Sequence, residues 1–141
     1  MYDNLKLVIN NSYSPFSKYR VACIVKCKDN QEFVGVNIEN PSVKSGLCAE
    51  QVAIGSAVSE GYKKGDFDSL YLLGSGKEVC RPCFLCRQLL VEFFDAEDKV
   101  ICYNSTGKEE QYLVKDLCPY AFDFEPGDKN GKWVRKIIVK C

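Results

Sequence analysis

The stretch EVCRPCFLCRQ, residues 78–88, sets three cysteines at a constant interval: Cys80, Cys83 and Cys86. It lies in a chain with nine cysteines and no histidine. Proline is favoured in the first turn of a helix. After Pro82, residues Cys86, Leu89, Leu90, Phe93 and Phe94 fall at i, i+3, i+4, i+7 and i+8, an amphipathic stripe. The spacing therefore predicts a helix that opens at Pro82 and carries Cys83 and Cys86 on one face of its first turn. The positive end of the helix dipole favours thiolate there, and paired thiolates suit a soft metal such as zinc. Buried thiols or a redox dithiol are competing readings of one such pair. Without histidine, any metal site must use Cys, Asp or Glu, and any general base must be something other than imidazole.

A second helix is predicted over 48–60. In CAEQVAIGSAVSEG, residues Ala49, Val52, Ala53 and Ala57 recur at helical spacing and Gly61 is a stop. Residues 3–11 read as a short, weak helix. YRVACIVKC, 19–27, is apolar on both faces, as a buried central strand is. The turn KDNQ leads to an antiparallel partner strand over 32–38. SLYLLGS has the continuous apolar run of a buried parallel strand, and KVICYN and EQYLVK read as two more strands. The order α-β-β-α-β-α-β-β predicts an α/β fold with a mixed five-stranded sheet flanked by helices. With no internal repeat or linker, residues 1–141 read as one domain. Residues 123–141 are an additional strand or a tail used in subunit contacts.

Charge narrows the partners. Nineteen Lys and Arg balance nineteen Asp and Glu, so there is no electrostatic footprint for a nucleic-acid polymer or an anionic membrane. A small neutral ligand fits better. The start MYDNLKLVINNSYS lacks a basic segment followed by an apolar run, and no 18-residue apolar stretch occurs. A cytoplasmic protein is expected. There, cysteines are ligands, catalysts or buried small hydrophobes rather than disulfides; Cys23, Cys27, Cys80 and Cys102 read as buried thiols from their apolar surroundings.

Cys48 also opens a helix, so Cys48, Cys83 and Cys86 are candidates to converge on one metal. Three protein ligands leave a fourth position for water, the pattern of a catalytic zinc, which acidifies that water to a pKa of about 7. Glu50 lies two residues beyond Cys48. A carboxylate beside the water, not bound to the metal, takes its proton and passes it on. Glu50 also has a simpler reading, as an acidic residue favoured in a first helical turn. The alternative from another class is a closed, non-catalytic Cys₄ module that includes Cys80.

Cys-x-Glu followed by Pro-Cys-x-x-Cys is more specific than either piece, and matches the zinc-deaminase pattern in an all-cysteine variant. With the blocks YSPFSKYRVA, GVNIENP, GLCAEQVAI, AVSEGYK, PCFLCRQ and CPYAF in order, the chain resembles the small zinc-dependent cytidine deaminases over most of its length. The resemblance implies a three-layer fold, a homotetramer and one Zn²⁺ per subunit held by Cys48, Cys83 and Cys86, with Glu50 as proton shuttle. Hydroxide would attack C4 of cytosine, releasing ammonia and leaving uracil. Ala49 would offer a backbone carbonyl to the amino group. Asn37 and Glu39 would hold the sugar hydroxyls, and a carboxylate there would repel a phosphate. Tyr19 stands where the family usually has a phenylalanine against the base. Phe122 resembles an aromatic that reaches a neighbouring subunit's site. Cytidine and 2′-deoxycytidine are the implied substrates, in pyrimidine salvage. Blasticidin-S deaminases share the cysteine and glutamate pieces, but NIEN argues for a nucleoside.

One departure concerns charge. The all-cysteine enzymes usually carry arginine after the glutamate, donating to the thiolates, and this chain has Gln51. Three thiolates on Zn²⁺ leave a net negative charge. Arg81 and Arg87 flank the ligands, and Arg81 is the expected electrostatic substitute.

Overall fold

The computed structural model describes residues 1–122; the expectations for 123–141 lie outside the described residues. The elements are α1 (Tyr2–Val8), β1 (Val21–Cys27), β2 (Glu32–Val36), α2 (Ala49–Ser59), β3 (Phe67–Gly74), α3 (Phe84–Phe93), β4 (Lys99–Tyr103), β5 (Glu109–Leu113) and α4 (Val114–Leu117). Among the described residues the sheet has five strands, in the order β2-β1-β3-β4-β5. Only the β3–β4 pair is parallel, and α3 makes the crossover that a parallel pair requires.

The inner strands are apolar on both faces because helices cover both. Cys23 and Val25 of β1, Leu70 and Leu72 of β3, and Val100 and Cys102 of β4 form one face, packed with Ala53, Ile54 and Ala57 of α2 and Leu90 of α3. Ala22, Ile24, Leu73, Ile101 and Tyr103 form the other, packed on Leu5 of α1. The result is the expected three-layer arrangement. Cys23, Cys27 and Cys102 are buried within it, as small hydrophobes.

Strand direction brings two helix starts together. β1 is antiparallel to both β2 and β3, so β2 and β3 run the same way and end at the same sheet edge. Each is followed by a helix, α2 after β2 and α3 after β3. Cys48 and Cys83 therefore reach the same edge although 35 residues separate them.

Gly35 sets how closely α2 lies on β2. A Cβ added there would collide with the carbonyl oxygen of Ala49 and lie 2.5 Å from Ala53 N. Both are helix backbone atoms, which cannot move singly. Gly35→Ala is expected to destabilise the fold by about 3 kcal/mol by overpacking, read as a lowered urea midpoint, and to weaken zinc retention because it displaces the turn bearing Cys48.

Among the boundaries that differ from the predicted ones, three have a clear local cause. Helix α3 starts at Phe84, with Cys83 as its extended N-cap (φ −66°, ψ 164°); Pro82 precedes the cap instead of opening the helix. Strand β1 starts at Val21 because Lys18 takes a positive φ of 60° and the next two amides bond outside the sheet: Tyr19 N–H donates to Ser17 Oγ and Arg20 N–H to Ser75 Oγ. The predicted strand EQYLVK ends at Leu113, and Val114–Leu117 form α4, whose i and i+3 residues, Val114 and Leu117, are buried.

Candidate active site

The two N-caps carry two of the three converging thiols. Cys48 caps α2 reciprocally: its Sγ accepts from the Gln51 backbone N–H, while Gln51 Oε1 accepts from Cys48 N–H at 2.8 Å. This is the capping-box pattern with a thiol in the hydroxyl's place. Cys83 caps α3, and Cys86 lies one turn into that helix, fully buried. The three Sγ atoms lie within 4.8 Å of one another, with Cys48 and Cys83 at 3.9 Å. Tetrahedral zinc with Zn–S bonds of about 2.3 Å holds its sulfurs roughly 3.8 Å apart, so the residues present fit that ion. Among the described residues, Cys80 does not join the group, which leaves three donors where a closed Cys₄ site needs four.

The thiols are tuned by one another. A hydrogen bond from Cys86 brings the Cys48 thiol down to about 6, and the same bond pushes Cys86 up. Glu50, in the first turn of α2, is 4% exposed. Burial is the main cause that lifts its carboxyl to about 7, and the Cys48 charge adds to it. A carboxyl in that range suits proton transfer near neutral pH.

Cys48, Cys83 and Glu50 open on a cavity of about 760 Å³, whose wall also includes Tyr19, Asn37 and Glu39, with Cys86 buried behind it. Asn37 is braced by backbone. Its Oδ1 accepts from Val21 N–H at 2.8 Å and from the Ser12 hydroxyl, and its Nδ2 donates to the Tyr19 carbonyl at 2.9 Å. Glu39 accepts from the amides of Phe16 (2.9 Å) and Ser17 (3.1 Å) and from the Ser17 hydroxyl. The Ser17 hydroxyl chiefly holds this carboxyl below its ordinary value. Sequence reasoning missed Ser12 and Ser17; their only signal was the serine-rich loop NSYSPFS before β1.

Two expected residues differ in detail. Ala49 lines the cavity, but its carbonyl lies beside Ala53 N over Gly35, on the sheet side of the helix. As the first residue of α2, it instead has an amide N–H without an intrahelical acceptor. Phe122 is 72% exposed and is not part of the cavity wall of its own chain; its carbonyl accepts from Gln88 Nε2 at 2.8 Å.

The expectation for Arg81 is overturned. Its Nε donates to Tyr112 Oη at 2.6 Å, and its Nη2 pairs with Glu110 at 2.5 Å. Strand β5 thus holds the guanidinium in an ion pair that neutralises it. Arg87 keeps its charge: its guanidinium donates to the neutral carbonyls of Pro82 (2.8 Å) and Leu117 (3.0 Å). The Gln51 side chain accepts from Cys48 N–H instead of donating to a thiolate. The hydrogen bonding and dipoles at the thiols themselves are backbone: the Gln51 N–H on Cys48 Sγ and two helix N-termini. Arg81→Ala is accordingly expected to leave zinc stoichiometry and the pH–rate profile unchanged, checked by metal analysis and steady-state kinetics.

Comparison with known proteins agrees with this arrangement. Residues 1–104 match the family model described as cytidine and deoxycytidylate deaminase zinc-binding region. The chain is 37% identical over 118 residues to a cytidine deaminase of Mycoplasma genitalium, covering 84% of this chain and 89% of that one. It is 29% identical over 114 residues to a blasticidin-S deaminase of Bacillus cereus, covering 75% and 79%. The crystal structure of cytidine deaminase from Burkholderia pseudomallei superposes with a TM-score of 0.82 at 31% identity, covering 85% of this chain and 94% of that one. With its family match, its fold and its three convergent thiols in agreement, the chain belongs to the cytidine and deoxycytidylate deaminase family.

Proposed function

We propose that this protein hydrolytically deaminates free cytidine and 2′-deoxycytidine to the uracil nucleosides and ammonia. The observation that carries the reading is the buried Glu50 carboxyl beside three convergent thiols, facing a cavity whose wall holds Asn37 and Glu39. Bound by Cys48, Cys83 and Cys86, zinc lowers the pKa of a water ligand to about 7. Glu50 takes one proton from the attacking water and delivers it to the ring nitrogen, where it stays, and then takes the second from the added hydroxyl and delivers it to the departing amino group. Burial supports both transfers by keeping bulk water from the carboxyl. The Ala49 N–H is a donor suited to the ring carbonyl. Asn37 and Glu39 orient the sugar hydroxyls, and the charge on Glu39 disfavours a phosphorylated sugar.

We also assign the protein to a homotetramer that works in the cytoplasm in pyrimidine salvage, with Phe122 contributing to a neighbouring subunit's site. Two features support this: Phe122 is exposed outside its own chain's cavity, and the eight cysteines among the described residues are unpaired. Among the described residues, no helix is long and apolar enough to cross a membrane. Sedimentation of the purified protein tests the assembly.

The activity is tested by ultraviolet-monitored deamination of cytidine, deoxycytidine, cytidine monophosphate and blasticidin S, with zinc measured in parallel. Turnover of the two nucleosides and little of the monophosphate is expected. Zinc-loaded protein that deaminates only blasticidin S, or nothing, overturns the reading.

A further inference from the structure

Tyr19 joins two sides of the cavity. Its backbone belongs to the sugar side: Tyr19 N–H donates to Ser17 Oγ at 3.0 Å, and its carbonyl accepts from Asn37 Nδ2 at 2.9 Å. Asn37 belongs to the proposed sugar clamp, and Ser17 braces its other member, Glu39. Its ring reaches the metal side. A Cβ built at Gly74 would collide with the Tyr19 hydroxyl while lying 2.6 Å from Cys80 Cβ and 3.1 Å from Cys80 Sγ. A Cβ at Gly76 would lie 2.9 Å from Tyr19 Cε2. The ring thus rests on two glycines, with its hydroxyl tip and the Cys80 side chain both beside Gly74.

Cys80 is itself anchored. Its backbone N–H donates to the Tyr103 carbonyl at 3.2 Å, at the end of β4, and only two residues separate it from Cys83. Both side chains line the cavity, and Tyr19 is 39% exposed there. The two groups sense each other: after burial, the Cys80 thiol is the next cause holding the Tyr19 phenol above its ordinary value. A phenylalanine at this position would have no polar tip to fix.

We propose that Cys80 is a positioning residue: it holds the Tyr19 hydroxyl and so fixes that ring as the wall against which the pyrimidine lies. The inference rests on the cytidine-deaminase reading above. A ring ordered before the substrate arrives loses less freedom on binding. The gain is shared by the bound substrate and the transition state, so it falls on KM and not on kcat.

The test uses the zinc-loaded protein with Cys80→Ala, Cys80→Ser, Tyr19→Phe and the double variant Tyr19→Phe/Cys80→Ala. Readouts are KM and kcat for cytidine, the Kd of the product uridine by calorimetry, and zinc content. Cys80→Ala and Tyr19→Phe are each expected to raise KM and the uridine Kd about fivefold, the worth of one net hydrogen bond, with kcat within about twofold. The double variant should be no worse than the poorer single one. Cys80→Ser, which keeps a polar partner, should recover most of the loss. Unchanged uridine affinity, additive single effects, a serine variant as poor as alanine, or zinc loss in Cys80→Ala overturns the proposal. If Cys80→Ala does not fold, Tyr19→Phe decides alone, since it leaves the thiol in place. Failure of the underlying reading looks different: the unmutated, zinc-loaded protein would not act on cytidine at all.

Discussion

Glu50→Gln is expected to keep its zinc and to lose about 10³-fold in kcat, the middle of the range for a positioned acid–base group. The substitution is nearly isosteric and removes one thing, the capacity to carry a proton. Glu50 lies at 4% exposure in the first turn of α2, so replacing a buried carboxyl with a neutral amide should not unfold the protein. The fold gains by no longer burying an ionisable group without a counter-charge. The decisive comparison is zinc content and turnover on the same samples. A variant with full zinc and turnover within tenfold of the parent removes Glu50 from the chemistry. A variant that loses zinc makes Glu50 a ligand, which the separation of its role from the thiols does not allow.

The second large effect concerns the metal. Cys86→Ala is expected to weaken zinc binding by at least about 100-fold, more than loss of an outer-sphere partner costs, and to abolish turnover. Cys86 is the fully buried member of the cluster, so its loss also leaves a small buried void. Because metal binding adds to folding free energy, chelating zinc from the parent protein should lower its Tm and extinguish activity, and re-addition should restore both. Cys80→Ala is the control, because it should retain full zinc. Equal zinc loss in the two variants would restore the four-cysteine reading.

Much of this arrangement is legible in the chain because its signals are local. Cys48-x-Glu50 and Pro82-Cys83-x-x-Cys86 each lie within one helical turn, where spacing alone fixes relative direction. The five strands are legible for the same reason: their apolar runs are short and bounded by turns. The illegible parts depend on partners distant in sequence. Arg81 adjoins the ligands along the chain, but Glu110 and Tyr112 on β5 draw its guanidinium to the sheet edge. Its neighbours in sequence carried no hint of this. Ser12 and Ser17 brace Asn37 and Glu39 across 25 and 22 residues, and serines in a loop read simply as loop. The contact between Tyr19 and Cys80 needs two glycines beneath the ring, which no periodicity encodes. The helical turn at Val114 was hidden because two β-favouring residues, Tyr112 and Val114, lie on either side of the strand's last residue.

Two of the three proposed metal ligands are N-caps, and the third lies in the first turn of its helix. The reacting centre is therefore defined from the starting ends of α2 and α3, and their far ends carry none of it. A length change past Gly61, where φ is +98° and a side chain would meet open space, alters only the return loop. A single insertion between Leu47, bridged to Ile38, and Cys48, or between Cys80, anchored on Tyr103, and Cys83, would move a ligand off the common point. The fold thus divides into segments free to vary in length across a lineage and segments whose length is fixed by the reaction, and the partition can be mapped by scanning one-residue insertions along both connections.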